Sequence, residues 1–143
     1  MAYTGTHLRT LDDKSRLAIP KPFRDALCGP DQGTLVIAPE TERALALFSE
    51  AQFQQRADEI RSRSESNQDA RTFLPLYFSQ AASVEIDKQG RIRIPDRLME
   101  FAGLKHEVML LGVNDRVEVW DREHWDGFLS DNEQSFDQIA KSF

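Results

Sequence analysis

A nine-residue phrase occurs twice in this chain, and any fold it adopts must accommodate both copies. Asp12-Asp13-Lys14-Ser15-Arg16-Leu17-Ala18-Ile19-Pro20 returns 75 positions later as Asp87-Lys88-Gln89-Gly90-Arg91-Ile92-Arg93-Ile94-Pro95. The shared skeleton is Asp, three residues, Arg, then an aliphatic-x-Ile-Pro close. The echo continues downstream: Leu35-Val36-Ile37 matches Val108-Met109-Leu110, and Ala44-Leu45-Ala46-Leu47-Phe48 matches Arg116-Val117-Glu118-Val119-Trp120. Phe53 and Trp125 then follow at the same distance. Two copies of one supersecondary unit suit a protein that presents a surface repeatedly, and suit a single catalytic cleft less well.

Each half, at roughly 70 residues, is marginal alone because small units bury too little of their surface. The halves are therefore expected to pack together, and the protein to oligomerise. No apolar run approaches the roughly 18 residues that would span a bilayer, and the N-terminus lacks the layout of a signal peptide. Cys28 is the single cysteine, which excludes an intrachain disulfide and fits a reducing cytosol. The formal net charge of −6 is concentrated: residues 115–137 hold eight acidic side chains against Arg116 and Arg122. Residues 7–24 instead carry Arg9, Lys14, Arg16, Lys21 and Arg24 against Asp12 and Asp13, a local +3. Binding to a polyanion depends on such a local footprint more than on the total.

Each copy reads as strand, turn, strand, short helix, two further strands and a longer helix. Val84 and Ile86 before the second turn, and Ile92 and Ile94 after it, alternate with Glu85, Arg91 and Arg93. That period of two makes one hairpin face apolar and the other basic. Pro20 and Pro22 lead into a short helix ended by Gly29, and Pro95 into one ended by Gly103. Pro39-Glu40-Thr41 and Asn114-Asp115 mark turns. Ser49-Glu50-Ala51-Gln52 has the spacing of a capping box, followed by Phe53, Ala57 and Ile60 on one helical face. The polar run 62–69 reads as the linker-like stretch. Phe73, Leu74, Tyr77 and Phe78 form a second apolar helix face, with Pro75 marking a kink or a start. Trp125, Phe128 and Leu129 begin a C-terminal helix that Phe136 and Ile139 continue. These helices are expected to brace the two units. The divisions are 5–52 for the first unit, 53–80 for a helical connector, 81–124 for the second unit and 125–143 for the C-terminal helix.

Catalytic or metal chemistry has little support. His7, His106 and His124 stand in unrelated surroundings, without the paired spacing of metal ligands. No phosphate loop or nucleophile elbow appears. The chain reads as a non-enzyme that calls for no cofactor, no small-molecule substrate and no membrane. The Asp-x3-Arg phrase admits two readings. Asp12 and Asp87 can hold the turn through backbone NH groups and pair with Arg16 and Arg91, a structural staple. Alternatively the staple fixes a loop whose cations point outward together, since Arg bonds guanine bidentately and Lys supplies a charge to phosphate. Alternation sets Arg93 on the face of Arg91. Arg61-Ser62-Arg63 reads as solvated linker.

The two phrases, with Leu98-Met99-Glu100-Phe101-Ala102-Gly103-Leu104 and Gly112-Val113-Asn114-Asp115-Arg116-Val117-Glu118-Val119-Trp120, resemble the MraZ family of bacterial transcriptional regulators over nearly the entire chain. The resemblance implies an α+β fold of two tandem swapped-hairpin units of the AbrB/SpoVT type. They would form one pseudo-symmetric barrel with flanking helices. It further implies a ring-shaped homo-oligomer, cytoplasmic and nucleoid-associated, that binds double-stranded DNA at direct repeats in the promoter of the division and cell-wall gene cluster, commonly as a repressor. The family's basic loop residues carry over onto Lys14, Arg16 and Arg91; Lys88, Arg93 and Arg9 complete the expected DNA-binding set. Ser15 stands where the family usually has Gly, Gln89 where it has Lys, and Tyr3-Thr4-Gly5 where it has Phe-Arg-Gly. Two rivals belong to other classes: a ring-forming assembly protein without DNA binding, and an antitoxin-like partner of a second protein.

Overall fold

Alternating apolar and polar residues around each Asp-x3-Arg phrase yield two short strands joined by a tight bend. The computed structural model describes residues 2–29 and 33–143. In its first half these strands are β1 (Thr6–Thr10) and β2 (Arg16–Ala18), followed by α1 (Lys21–Cys28), β3 (Thr34–Pro39), β4 (Leu45–Phe48), α2 (Glu50–Ser64) and α3 (Gln68–Phe78). The second half repeats the order with β5 (Ala82–Glu85), β6 (Arg91–Arg93), α4 (Asp96–Ala102), β7 (Glu107–Gly112), β8 (Val117–Asp121), α5 (Arg122–Asn132) and α6 (Phe136–Ala140). The fold is α+β, with every strand pair antiparallel.

Six strands make one sheet in the order β1-β7-β8-β4-β3-β5, while β2 and β6 form a separate two-stranded ladder. Each half lends its first strand to the other. β1 pairs with β7, setting Thr6 opposite Leu111, and β5 pairs with β3, setting Thr34 opposite Glu85. Two pairings join equivalent positions of the repeat, Leu17 with Ile92 in the ladder and Ala46 with Glu118 in the sheet. An approximate twofold axis therefore runs through both pairs. The expected barrel does not form. Closure would require β1 to pair with β5, and these are the two free edges of the sheet. The molecule buries its apolar surface by stacking layers instead: Leu17, Ile19, Ile92 and Ile94 of the ladder segments press onto one sheet face.

That face supplies Leu35, Ile37, Leu45, Leu47, Val108, Leu110, Val117 and Val119 to the main core. α1 and α4 complete the layer through Phe23, Leu27, Leu98 and Ala102. Such a side chain, stripped to alanine, leaves a cavity worth about 2–5 kcal/mol. The opposite face is covered half by half, which corrects the expected bracing between units. Ile60 of α2 and Tyr77 of α3 lie over Ala38, Ala46 and Phe48, and Trp125 and Phe128 of α5 lie over Leu111 and Trp120. The halves are joined by the exchanged strands and by the β2–β6 and β4–β8 pairings, with α4 of the second half packed on β3 of the first.

Helix boundaries follow local hydrogen bonding. Ser49 Oγ accepts from Gln52 N at 3.1 Å and Gln52 Oε1 accepts from Ser49 N at 3.2 Å, the reciprocal cap read from the sequence. The polar run 62–69 is mostly helical, with only residues 65–67 outside α2 and α3. The hydroxyls of Ser62 and Ser64 donate to the carbonyls three residues back, and Asn67 Oδ1 accepts from Ala70 N to start α3. Pro75 lies inside α3, where it neither starts the helix nor ends it. The C-terminal helix is interrupted by a 3-10 turn at Glu133–Ser135.

Candidate nucleic-acid interface

Side chains directly opposite in an antiparallel pair share a face. With Leu17 and Ile92 turned into the core, the outer ladder face carries Arg16 opposite Arg93 and Ala18 opposite Arg91. Three arginines from two distant stretches thus meet on one surface. The two bends lie at opposite ends of this ladder and are tied to it across the repeat: Ile19 N donates to Gly90 O at 2.9 Å, and Ile94 N donates to Ser15 O at 3.0 Å.

Each bend is built the same way. Asp12 Oδ1 accepts from the backbone N of Lys14 and of Arg16, both at 2.9 Å, and Asp12 Oδ2 accepts from Arg16 Nε at 2.6 Å. Asp87 repeats all three bonds with Gln89 N, Arg91 N and Arg91 Nε, at 2.9, 2.9 and 3.0 Å. The backbone NH bonds lead the effects that lower the carboxyl of Asp12 to about 2, and those of Arg91 and Gln89 likewise lower Asp87. The residue before each arginine has positive φ, 60° at Ser15 and 77° at Gly90. Ser15 therefore holds, as a non-glycine residue, a left-handed conformation that costs glycine nothing.

The staple occupies one nitrogen of each arginine and leaves the forks at the surface. Arg16 is 32% exposed and Arg91 26% exposed, with Arg91 Nη1 also 3.6 Å from Asp12 Oδ2 across the ladder. The structural staple read from the sequence is present at both bends. Lys14 and Lys88 are exposed at the bends, and Arg93 is exposed on the ladder. Arg9 lies apart, on edge strand β1 opposite Val108, with Nη1 donating to Leu8 O at 2.9 Å. It shares the strand face of His7, whose ring meets Phe23 at 5.1 Å, so it flanks the ladder layer.

One cation of the basic stretch 7–24 stands outside the expected DNA-binding set. Arg24, on α1 of the first half, lays its guanidinium over Gly90 of the second, so that a Cβ at Gly90 would collide with Nη1. Nη1 donates to Ile19 O at 3.2 Å. The position equivalent to Arg24 is Met99, and the contact arises from strand exchange, so no spacing signal could have revealed it. The acidic α5 lies over the far face of the sheet from the ladder. Among the described residues, no group of three or more His, Cys, Asp and Glu side chains could hold a metal, and no helix is long and apolar enough to cross a membrane.

Comparison with known proteins meets this geometry at the repeat itself. The family model described as "MraZ protein, putative antitoxin-like" matches twice, over residues 2–76 and 77–142. Relatives named transcriptional regulator MraZ align over 139 residues: 39% identical in Salinispora tropica, covering 97% of this chain and 95% of the relative, and 38% identical in Salinispora arenicola with the same coverage. That of a Parafrankia strain is 37% identical, covering 97% and 94%. With both repeats matched and nearly the whole length aligned, the chain belongs to the MraZ family.

Proposed function

We propose that this protein is a transcriptional regulator that binds double-stranded DNA sequence-specifically and catalyses no reaction. The observation that carries the reading is the ladder face: Arg16, Arg91 and Arg93 lie together, flanked by Lys14 and Lys88, on the side away from the acidic α5. Lysines would contact phosphate for affinity, and arginine forks would read base edges. The names of the relatives support the same reading. The finer form is a repressor acting on direct repeats in the promoter of the division and cell-wall gene cluster, as a nucleoid-associated ring of identical protomers. Each half would be a swapped-hairpin unit of the AbrB/SpoVT type, which the exchange of β1 and β5 supports. In a ring, linked tips would raise the effective concentration of each next contact.

Titration of the protein against its own upstream region at about 50 and 200 mM salt tests this. Several phosphate contacts predict a loss of roughly 10³-fold or more between those conditions. Undetectable or salt-insensitive binding sinks it. Arg16→Ala and Arg91→Ala should weaken binding without unfolding the tips, because the Asp Oδ1 bonds to the backbone persist. A second reading, a ring-forming interaction protein that does not bind DNA, is favoured by the net charge of −6 and by the capture of both arginine Nε groups. It predicts unchanged assembly and no DNA complex at any salt.

A further inference from the structure

The approximate twofold axis makes the two tips equivalent in backbone, and the side chains break that equivalence. Residues 12–18 carry Asp12 and Asp13 against Lys14 and Arg16, a formal charge of zero. Residues 87–93 carry Asp87 against Lys88, Arg91 and Arg93, a charge of +2. Arg24 adds a further cation beside Gly90. Beside this second tip lies a cleft of about 380 Å³ walled by Arg24, Asp25, Asp87, Lys88, Gln89 and Gly90. Both of its carboxylates are already engaged: Asp25 accepts from Lys21 Nζ at 2.8 Å, and Asp87 pairs with Arg91 at 3.0 Å. Among the described residues Lys88 has no ion partner, and Arg24 bonds only a carbonyl. At the first tip the positions equivalent to Arg24, Lys88, Gln89 and Gly90 are Met99, Asp13, Lys14 and Ser15.

We propose that the cleft between Arg24 and Lys88 seats a backbone phosphate of DNA, so that the second tip carries most of the affinity and each protomer binds with a fixed polarity. This rests on the DNA-binding reading above. A cleft with neutralised acids and two unspent cations has a surplus positive charge that only an anion satisfies. Arg24 is held there by its bond to Ile19 O, so the seat is preorganised. A twofold ribbon with equal tips would favour a site that reads the same in both directions. Unequal tips select a site with a direction.

The test is anisotropy titration of the full chain against a labelled duplex of its own upstream region, over a series of salt concentrations. Lys88→Gln and Arg24→Met should each weaken binding about threefold to tenfold and reduce the slope of log affinity against log salt by about 0.9, the share of one phosphate. Lys14→Gln, at the first tip, should weaken binding by less than Lys88→Gln does, and Asp13→Lys with Met99→Arg should tighten binding by giving the first tip the chemistry of the second. Lys88 is exposed and makes no hydrogen bond to another described residue, so its variant reports on DNA even if Arg24→Met disturbs folding. The inference is overturned if wild type binds but Lys88→Gln and Arg24→Met keep its affinity and slope, or if Lys14→Gln costs as much. Absence of binding by wild type overturns the DNA-binding reading itself.

Discussion

Arginine is used in two opposite ways in this molecule. At the tips, Arg16 and Arg91 pair with Asp12 and Asp87 in positions where all four side chains are about a third exposed. At the far end of the twofold axis, Arg116 reaches Glu40 at 3.2 Å, Asp115 at 2.9 Å and Glu118 at 2.8 Å, with Glu40 only 5% and Glu118 9% exposed. Trp120 Nε1 donates to the other Glu118 oxygen at 2.9 Å. Burial opposes the charge on Arg116, yet the carboxylates of Glu40 and Glu118 outweigh it and hold the guanidinium above its ordinary range. The same ion-pair chemistry thus serves two ends. An exposed pair shapes a loop at little cost and leaves donors at the surface, whereas the buried carboxylates of Glu40 and Glu118 commit Arg116 to the fold.

The comparison breaks most directly at Arg116. Removing it strands two buried carboxylates, so Arg116→Leu should destabilise by about 3 kcal/mol or more in urea unfolding. Arg16→Leu, whose partner stays solvated, should cost under about 1 kcal/mol. Near-equal losses would mean that the Arg116 cluster is wetter than its geometry implies.

The tips differ from each other more finely. Gly90 has φ of 77° and no room for a Cβ beneath Arg24, so Gly90→Ala should cost about 1–2 kcal/mol from the left-handed backbone, plus the displacement of Arg24. Ser15→Gly is the reverse experiment at φ of 60°. Relief of strain is partly offset by the greater freedom of glycine when unfolded, leaving a gain of less than about 1 kcal/mol. A loss at Ser15→Gly would show that the serine side chain, rather than the backbone, holds the first bend.

Much of this was legible before any coordinates. The period-2 alternation gave the ladder strands, the capping box started α2 where it was expected, and the Asp-x3-Arg phrase contained its own staple. Pairing between strands was not legible, because β1 and β3 carry no mark of which half they will join. The barrel expectation failed for that reason, as did any anticipation of Arg24 over Gly90. Serines at 62 and 64 read as linker because composition hides their bonds to preceding carbonyls. Glu118 counts among the acidic side chains of 115–137 in the sequence, although strand alternation faces it toward Trp120 and Arg116, where it is buried.

The gentlest way to sharpen the contrast is acid. Asp12 has its carboxyl lowered from 3.8 to about 2, foremost by the backbone NH of Arg16, and Asp87 is lowered for the same leading reason by the NH of Arg91. A depressed folded-state pKa means that the staple contributes fully above the unfolded value and loses that contribution as pH falls through the folded one. For Asp12 the window runs from about 4 down to about 2. Both carboxylates are solvent-exposed, so the expected event is loosening of the bends rather than global unfolding. Carboxyl carbon shifts followed by NMR should place the Asp12 midpoint near 2, with the amides of Lys14 and Arg16 moving in parallel. An Asp12 that titrates at its ordinary value would mean that the bend is not stapled in solution. On the DNA-binding reading proposed above, the arginine forks would then approach DNA from a disordered loop rather than a preformed one.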